Sequence, residues 1–373
     1  MKYDVIIVGG GLAGLTTSIY LSKKGFSVLV LERNRYPHHK VCGEYVSNEV
    51  RPFLTHLGLD IDALGAVTID NFSISNQNGK KLNTKLPLGG FGISRYRLDQ
   101  ALFLLAKGSG VDFTFETVSS VVYGNGSFEV RTKDQAYHST VTIGAYGKRA
   151  ALDKHLGRSF IKGKSPWLGV KAHYESVDFP RNEVQLHCFE RGYGGLSMTE
   201  KGTVNFCYLA HYQNFQKEKN IDSFNKNVVS KNPFLRTFLR NATPIFKSPL
   251  SIAQVSFEKK ELVHDHMLMC GDSAGLIHPL CGNGMAMAIH SALIASQCVF
   301  RFLSERNYPR QRLEQEYKKE WKSNFNSRLY AGRKIQYLIT NPKVMNTMFS
   351  FFPKSETLLS GIIKRTHGKP ILA

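Results

Sequence analysis

The chain has 373 residues, enough for two domains or for one large domain with a subdomain. Its hydrophobic content of 42% is ordinary for a globular protein, and no apolar run reaches the roughly 18–20 residues that a membrane-spanning helix needs. The formal charge of +20 is uneven, because residues 301–373 hold 15 lysines and arginines against 5 glutamates and no aspartate. A basic tail is typical of nucleic-acid or anionic-membrane binding, or serves solubility alone, and composition does not choose among these.

The cysteines and the N-terminus bear on the compartment. Six cysteines are scattered without a CxxC pair, which suits a reducing cytoplasm better than a disulfide framework or a zinc site. A strand pattern begins at residue 4, so the sequence predicts no signal peptide. We therefore expect a cytoplasmic protein without a metal site.

Residues 4–32 contain the most specific motif in the chain. A β-branched run at residues 5–8 predicts a buried parallel strand, and the spacing GxGxxG follows at residues 9–14. A helical pattern at residues 12–24 and a second apolar run ending at Glu32 complete a βαβ unit. This context of strand, turn, helix and terminal acid predicts a dinucleotide site.

Each position of the motif has a physical reason. Gly9 permits the tight turn, Gly11 lets the backbone approach a pyrophosphate, and Gly14 lets the helix pack close to the strand. The helix N-terminus offers free N–H groups and the positive end of its dipole to the phosphates. Glu32 can accept hydrogen bonds from both ribose hydroxyls and would repel a 2′-phosphate, so the tightly bound nucleotide should not be NADP.

The next part of the chain continues the nucleotide domain. Residues 67–86 alternate loosely around Asn78-Gly79 and predict an inserted β-hairpin. A helix is predicted over residues 98–106. Further strands are predicted at residues 111–116, 119–123, 127–132 and 140–143.

The pattern changes from residue 167 to about residue 256, where alternating strands predict an antiparallel sheet able to cover a ligand. A polar helix is predicted at residues 221–239. A buried strand at residues 267–270 and a long apolar helix at residues 285–302 return to nucleotide-domain character. The remainder is predicted to be helical, basic and amphipathic.

These elements predict an α/β fold, in which a Rossmann-like nucleotide-binding domain carries an inserted antiparallel-sheet substrate domain and a C-terminal helical segment. The predicted boundaries are residues 1–66, 91–165 and 257–305 for the nucleotide domain, residues 67–90 and 166–256 for the substrate domain, and residues 306–373 for the basic helical segment.

A second motif begins at Gly271. Other glycine clusters lack the strand, helix and terminal acid of a second dinucleotide site, so we predict one tightly bound nucleotide. Asp272, at the end of a strand, can accept hydrogen bonds from a polyol such as a ribityl chain. Backbone N–H groups of residues 282–285, at the start of the long helix, can stabilise negative charge near a flavin pyrimidine ring.

Three motifs together resemble the flavoprotein family of the p-hydroxybenzoate hydroxylase fold, and most of all its geranylgeranyl reductase-like branch. They are GGGLAG with Glu32, KVCGEYVS at residues 40–47, and CGDSAGLIHPLCGNGM at residues 270–285. Arg95, in an RxxLD segment, fits the family's arginine that contacts the cofactor. The resemblance implies FAD bound in extended form, with its isoalloxazine ring between the two domains. It implies cofactor contacts from Gly9, Gly11, Leu12, Ala13, Gly14, Glu32, Arg33, Cys42, Gly43, Arg95, Val118, Gly271, Asp272, Gly282, Asn283, Gly284 and Met285.

Two departures from the family pattern affect the expected reaction. The family usually has GADG where this chain has GAYG with Tyr146, and the missing acid helps to place the nicotinamide, so we expect NAD(P)H to be a transient and inefficient reductant. The prenyl reductase branch tends to carry YxWxFP on a strand facing the flavin, whereas residues 193–198 are YGGLSM. The substrate is therefore expected to differ from a standard geranylgeranyl lipid, with Tyr193, Gly195 and Leu196 as its contacts.

Cys42 and His278 are the candidate catalytic residues. Cys42 lies in the CGE segment, which approaches the flavin in this branch, and could assist hydride and proton transfer. Its alternative role is a small residue that packs in a tight loop. His278 could donate a proton near physiological pH, although a packing role is favoured. Glu44 is expected to order the loop rather than to act as an acid.

The tail has two apolar stripes at helical spacing. The first contains Met345, Met348, Phe349 and Phe352, and the second lies within residues 358–363 after Pro353. The favoured interpretation is that these helices cap the protein's own core. The alternative is docking on an anionic membrane at its cytoplasmic face, where a hydrophobic substrate is presented. We expect no nucleic-acid partner, since no RNA-recognition motif accompanies the charge.

The sequence therefore predicts an FAD-dependent oxidoreductase that reduces a double bond of a hydrophobic, isoprenoid- or polyene-like substrate. One alternative is a flavin monooxygenase that hydroxylates or epoxidises a hydrophobic or aromatic substrate. An alternative of another class is a non-catalytic flavin-binding redox protein at a membrane surface.

Overall fold

The computed structural model describes residues 1–176, 178–351 and 356–372. The strands are β1 Lys2–Val8, β2 Val28–Leu31, β3 Tyr45–Ser47, β4 Val67–Ser75, β5 Lys81–Gly92, β6 Asp112–Thr114, β7 Ser120–Gly124, β8 Ser127–Arg131, β9 Ala136–Gly144, β10 Trp167–Glu175, β11 Glu183–Phe189, β12 Gly192–Met198, β13 Val204–His211, β14 Thr243–Pro244, β15 Leu250–Ala253, β16 Val263–His264 and β17 Met267–Met269. The α-helices are α1 Leu12–Lys23, α2 Arg51–His56, α3 Arg95–Gly108, α4 Ala151–His155, α5 Tyr212–Glu218, α6 Ile221–Asn227, α7 Pro233–Asn241, α8 Gly284–Ser304, α9 Arg310–Ile339, α10 Pro342–Phe351 and α11 Glu356–Thr366.

A largely parallel sheet forms the nucleotide-binding layer. Its strands run in the order β16-β17-β9-β1-β2-β6, and the hairpin β7–β8 is added next to β9. β1 pairs in parallel with both β2 and β9, so the carboxyl ends of these three strands meet where α1 begins. Ligands of open parallel sheets bind outside the carboxyl ends of the strands, which places the expected site at this edge.

Helix α1 is a core helix. All of its residues from 12 to 21 are buried, because it contacts β1 and β2 on one side and α3 and α8 on others. A Cβ atom on Gly14 would lie 2.0 Å from the carbonyl oxygen of Gly9, so only glycine lets α1 approach the turn this closely. The close packing starts α1 directly at the sheet edge.

The second sheet has the order β14-β10-β13-β12-β11-β4-β5-β3, with β15 also paired to β10. The hairpin predicted at Asn78-Gly79 joins β4 and β5. The sheet is antiparallel except where β4 pairs with β11 in parallel. The exception arises because the β4–β5 hairpin and the β11–β13 meander are separate stretches of chain, and no tight turn dictates the direction in which their edges pair.

The single polar helix predicted at residues 221–239 is divided in the structure. α6 ends at Asn227, and α7 begins with Pro233 as its first residue. Proline lacks the amide hydrogen that a continuing helix needs, so it begins a helix more readily than it extends one. The Asn232 side chain accepts hydrogen bonds from the first turn of α7 and donates to Ser75 on β4, which fixes the break.

Helix α8 differs from the expectation that no segment is apolar enough to cross a membrane. Among the helices of the described residues, α8 alone is long and apolar enough to cross a membrane. However, 67% of its most apolar window is buried, and it packs between α1 and α9. This degree of burial is typical of a core helix.

The C-terminal helices turn apolar side chains inward. Met345, Phe349 and Ile363 are buried and pack against the second sheet, which confirms for these three residues that the helices cap the protein's core. Phe352 and Pro353 lie outside the described residues, as do the side chains of Met348 and Leu358.

Buried histidines predict a fold that is sensitive to acid. Burial lowers the pKa of His187 and His278 to about 3, and that of His290 and His367 to about 4. Below about pH 6.5 the unfolded chain binds protons that the folded chain does not, so the free energy of unfolding should fall as the pH drops from 6.5 towards 4. Urea unfolding across this range should show a shallower fall for His187→Gln than for the wild type. The exposed control His155→Gln should follow the wild type, and equal slopes for all three proteins would contradict the prediction.

Candidate active site

A cavity of about 720 Å³ runs between the two sheets. The GxGxxG turn, Glu32, Arg95 and the strand-end loops of the parallel sheet line one half. Apolar side chains of the second sheet and of the C-terminal helices line the other half. The loop at residues 40–45 and the start of α8 lie between the halves. This volume is within the ordinary range of ligand-binding cavities.

Gly11 leaves the phosphate end of the cavity open. A Cβ atom on Gly11 would meet only Arg95 Nη2, at 3.9 Å, whereas one on Gly9 would lie 2.5 Å from the carbonyl oxygen of Ala145. α1 begins at Leu12, and no side chain caps its first N–H groups. Uncapped amides beside open space form a site for an anionic group such as a pyrophosphate.

Glu32 is oriented beside the same turn. Its carboxylate accepts hydrogen bonds from the backbone N–H groups of Gly10 at 2.8 Å and of Asn34 at 3.0 Å. The Tyr36 hydroxyl donates to the carbonyl oxygen of Gly10 at 2.5 Å, which fixes the turn from its other side. Glu32 and its neighbour Arg33 both line the cavity, so the carboxylate is placed to accept ribose hydroxyls.

Arg95 is fixed by a buried aspartate. Its Nε and Nη2 donate to the two carboxylate oxygens of Asp99 at 2.6 and 2.8 Å, and Lys40 Nζ lies 2.9 Å from the same carboxylate. Burial by itself would raise the pKa of Asp99, but Arg95 and Lys40 lower that pKa by more than burial raises it. The carboxyl group therefore stays ionised. The bidentate pair holds the guanidinium next to Gly11, where it can contact the cofactor.

The CGE loop is attached to the second sheet through its backbone. Four successive carbonyl oxygens, at residues 40 to 43, accept hydrogen bonds from side chains, and three of the donors stand on β10, β12 and β13. The pairs are Lys171 with Lys40 at 3.1 Å, Lys148 with Val41 at 3.2 Å, Asn205 with Cys42 at 3.1 Å and Ser197 with Gly43 at 2.9 Å. The inserted sheet therefore positions Cys42 against the cavity.

Glu44 joins this loop to the second sheet and to α3. It is fully buried with a left-handed φ of 54°, and its carboxylate accepts from Lys171 Nζ at 2.5 Å, His173 Nε2 at 2.6 Å and the Arg95 N–H at 2.7 Å. Burial would raise its pKa, but Lys171 and His173 shift it below the ordinary value. His39 lies near enough to make a metal-like group with Glu44 and His173, yet both carboxylate oxygens already accept hydrogen bonds. The geometry is that of a positioning residue, as the sequence predicted.

Two loops form the end of the cavity where the resemblance places a flavin ring. Gly282 adopts a left-handed φ of 62°, and Gly284 and Met285 begin α8, whose first N–H groups have no side-chain cap. Gly271 and Asp272 face the same space. The Asp272 carboxylate has no hydrogen-bond partner among the described residues, while Lys260 Nζ holds its backbone oxygen at 2.7 Å. A free carboxylate and an uncapped helix start fit a polyol and a polarised ring.

The structure brings most predicted residues to the cavity, and five do not line it: Gly9, Gly14, Val118, His278 and Asn283. Gly9 and Gly14 lie in the turn next to it, where a Cβ atom on either would meet backbone. Val118 and Asn283 are buried and are not among the described lining residues, so their cofactor contacts stay predictions from the resemblance. His278 stacks on Phe257, with ring centroids 3.9 Å apart, and its Nδ1 pairs with Gln336. It does not line the cavity, which favours the packing role over proton donation. The predicted residues that line the cavity are Gly11, Leu12, Ala13, Glu32, Arg33, Cys42, Gly43, Arg95, Tyr193, Gly195, Leu196, Gly271, Asp272, Gly282, Gly284 and Met285.

Tyr146 lies two residues after the end of β9, where the resemblance places an acid. Its hydroxyl donates to Asp153 at 3.1 Å and accepts from Arg158 at 3.4 Å, while the residue lines the cavity. The sequence analysis did not identify Lys171 and His173, although a lysine and a histidine two residues apart in the apolar part of a strand were a usable signal. Their buried charge needed a partner, and that partner is Glu44.

Residues 2–309 match the FAD binding domain family. The chain belongs to this family. It is 24% identical over 394 residues to conditioned medium factor receptor 1 of Dictyostelium discoideum, covering 94% of this chain and 74% of that protein. It is also 24% identical over 372 residues to digeranylgeranylglycerophospholipid reductase of Methanococcus vannielii, covering 95% and 91%.

Solved structures agree on the fold. A flavin-dependent brominase superposes with a TM-score of 0.79 at 19% identity, covering 98% of this chain and 93% of that one. A geranylgeranyl bacteriochlorophyll reductase-like protein of Thermoplasma acidophilum gives 0.76 at 19% identity, covering 98% and 96%. The predicted α/β fold, the resemblance to the geranylgeranyl reductase-like flavoproteins and FAD as the cofactor are confirmed. The chain is an FAD-dependent oxidoreductase.

Replacing Gly11 with valine should abolish FAD retention. Gly11 has an extended backbone with φ of −82°, so valine fits the local conformation and only the approach of the pyrophosphate is blocked. We expect the purified variant to hold less than about a tenth of the wild-type flavin, measured as flavin released on denaturation per mole of protein. Gly124→Val, at a position with open space around its Cβ, is the matched control and should keep its flavin. A Gly11→Val protein that keeps a full complement of FAD would contradict this account of the phosphate site.

Replacing Glu44 with glutamine should strongly destabilise the protein. The change leaves the Lys171 ammonium buried without its carboxylate, which costs about 3–5 kcal/mol when one partner of a buried pair is removed. Chemical denaturation should report the loss, and Glu44→Gln combined with Lys171→Met should recover much of it. If the double variant is no more stable than the single one, the ion pair is not the cause.

Proposed function

We propose that the protein reduces carbon–carbon double bonds of a hydrophobic, isoprenoid- or polyene-like substrate. The apolar half of the cavity carries this proposal. Sheet residues such as Ile74, Leu186 and Ile252 face C-terminal residues such as Ile339 and Phe349 across it. Such walls bind by excluding water, at about 0.8 kcal/mol for each buried CH₂ group, so they favour a long hydrocarbon over a small polar substrate.

The two halves of the cavity are continuous, which supports catalysis on a bound hydrocarbon. FAD, when bound, supplies the transfer of a hydride or of electrons. The chain's own residues orient the partners: Arg95 and Glu32 hold the nucleotide end, and Tyr193 and Leu196 on β12 line the substrate side. Cys42 lies between them on a loop fixed by four carbonyl hydrogen bonds, so its thiol is the candidate to exchange a proton with the substrate.

A second candidate is an oxygen-dependent reaction, in which a hydrophobic or aromatic substrate is hydroxylated or epoxidised. The likeness in fold to a flavin-dependent brominase favours it. The alternative of a non-catalytic redox protein is less favoured, because such a protein has no need for an apolar chamber beside its flavin.

The electron donor and the cellular setting are also proposals. With Tyr146 hydrogen-bonded to Asp153 instead of a free acid at this position, NAD(P)H is proposed as a transient and inefficient reductant. The exposed Lys364 and Arg365 follow the buried Ile363 on α11. We therefore propose a cytoplasmic protein whose contact with an anionic membrane surface is electrostatic rather than inserted.

Anaerobic turnover distinguishes the two reactions. The holoenzyme, reduced chemically and kept free of oxygen, should convert polyprenols or conjugated polyenes to products with one double bond fewer for each reduced flavin. Mass spectrometry of the product and reoxidation of the flavin absorbance check the stoichiometry, with free reduced FAD as the control. Product that forms only after oxygen is admitted would replace the reductase proposal by the oxygenase one.

A further inference from the structure

The two central strands of the second sheet present one bare place to the cavity. Every residue of β12 is buried except Gly195, and every residue of β13 is buried except Cys207 and the last residue of the strand. Gly195 and Cys207 are paired across the two strands, and both line the cavity. The surface of the sheet is therefore accessible at this pair of positions.

Gly195 leaves room that the packing of the sheet does not require. A Cβ atom at this position would meet only the backbone oxygens of Cys207 and Gln185, both at 3.8 Å, and the φ of Gly195 is not left-handed. A Cβ atom on the preceding Gly194 would instead lie 2.6 Å from the ring of Phe206. Gly194 is thus needed for packing, whereas Gly195 leaves a space. We call the space above Gly195 and Cys207 the notch.

Two pairs of larger side chains limit the notch along the strands. Tyr193 and Leu209 are paired at one end, and both line the cavity. Ser197 and Asn205 are paired at the other end, where they donate hydrogen bonds to the carbonyl oxygens of residues 43 and 42 at 2.9 and 3.1 Å. Four residues of a strand separate the two ends, which is about 13 Å. The notch therefore reaches the loop that carries Cys42.

The floor of the notch is flat and apolar. It consists of the backbone of Gly195 and the thiol of Cys207, with Leu186 of β11 paired beside Gly195. Burial raises the pKa of the Cys207 thiol to about 12, so the thiol stays neutral and acts as a small polarisable group. Lys171, which is paired with Cys207 on its other side, has its ammonium bound by Glu44. A planar ring contacts such a floor over its whole face, whereas a linear chain leaves part of it without contacts.

We propose that the notch selects a hydrocarbon substrate with a planar unsaturated ring next to its reacting double bond, and that Gly195 is the specificity-determining residue. The proposal rests on the proposed function, because it adds a ring to that hydrocarbon. The ring lies on Gly195 and Cys207, and the neighbouring double bond then lies at the loop that carries Cys42. The chain has Gly195 where the YxWxFP motif has its tryptophan, and a tryptophan side chain at this position would fill the notch.

Binding to the oxidised holoprotein tests the notch without turnover. Retinol ends in a six-membered ring, and geranylgeraniol is a linear isoprenoid alcohol with the same number of carbon atoms. Titration followed by the flavin absorbance should show tighter binding of retinol to the wild type. Gly195→Leu should weaken the binding of retinol about tenfold or more relative to that of geranylgeraniol, because the new side chain fills the notch.

Two further variants and a control keep this test independent of a folding defect. Gly195→Ala adds one methyl group and should shift the preference in the same direction by less. Cys207→Leu fills the notch from the neighbouring strand and should act like Gly195→Leu. Gly124→Leu, on β7 with open space around its Cβ, should bind both alcohols as the wild type does. If Gly195→Leu and Cys207→Leu weaken the binding of both alcohols equally, or of neither, the notch does not select a ring.

Turnover separates this inference from the proposed function. With the chemically reduced holoenzyme, the ratio of kcat/KM for retinol to kcat/KM for geranylgeraniol should fall about tenfold or more in Gly195→Leu. If the wild type binds retinol selectively but reduces neither alcohol, the proposed function fails and the notch stands. If geranylgeraniol is reduced and the ratio is the same in the wild type and in Gly195→Leu, the inference about the notch is overturned while the proposed function stands.

Discussion

The carboxylate of Glu44 is the contact on which the arrangement of the active site depends. It joins Lys171 and His173 of the second sheet to the start of α3, which belongs to the nucleotide-binding layer. Burying a carboxylate is costly unless its oxygens are satisfied, and here three donors satisfy them. Lys171 also donates a hydrogen bond to the carbonyl oxygen of Lys40. One buried ion pair therefore fixes the position of the loop at residues 40–45 and joins the two sheets.

Around this contact, both backbone N–H groups and side chains form the cofactor site. The uncapped starts of α1 and α8 are placed to offer N–H groups to the pyrophosphate and to the flavin ring, and their partial charge needs no proton and does not change with pH. Side chains such as Arg95 and Asp272 line the same cavity and add hydrogen-bonding groups with a defined orientation. Both oxygens of the Asp99 carboxylate accept hydrogen bonds from the Arg95 guanidinium. The guanidinium is therefore a fixed charge that loses little conformational freedom when the cofactor binds.

The C-terminal helices belong to the site as much as the sheets do. Ile335 and Ile339 of α9, with Phe349 of α10, line the apolar half of the cavity. The tail helices bury their apolar side chains and expose their charged ones. This arrangement explains why a helical tail so rich in lysine and arginine packs stably.

The sequence by itself determined the nucleotide half of the protein. Gly9, Gly11, Gly14 and Glu32 lie within 24 residues, and strand, turn and helix geometry follow from local sterics that a pattern can express. It also named Asp272 and the start of α8, because glycine spacing again marks a local turn.

Only the tertiary structure decided the environment of Cys42 and the exclusion of His278 from the cavity. Cys42 and its anchor Asn205 are 163 residues apart in the chain, and Glu44 and Lys171 are 127 apart. His278 and its partner Gln336 are separated by 58 residues. No spacing rule relates such pairs, because they meet only when two sheets and a helical tail pack together, and packing depends on the shape and burial of the whole chain rather than on neighbours in sequence.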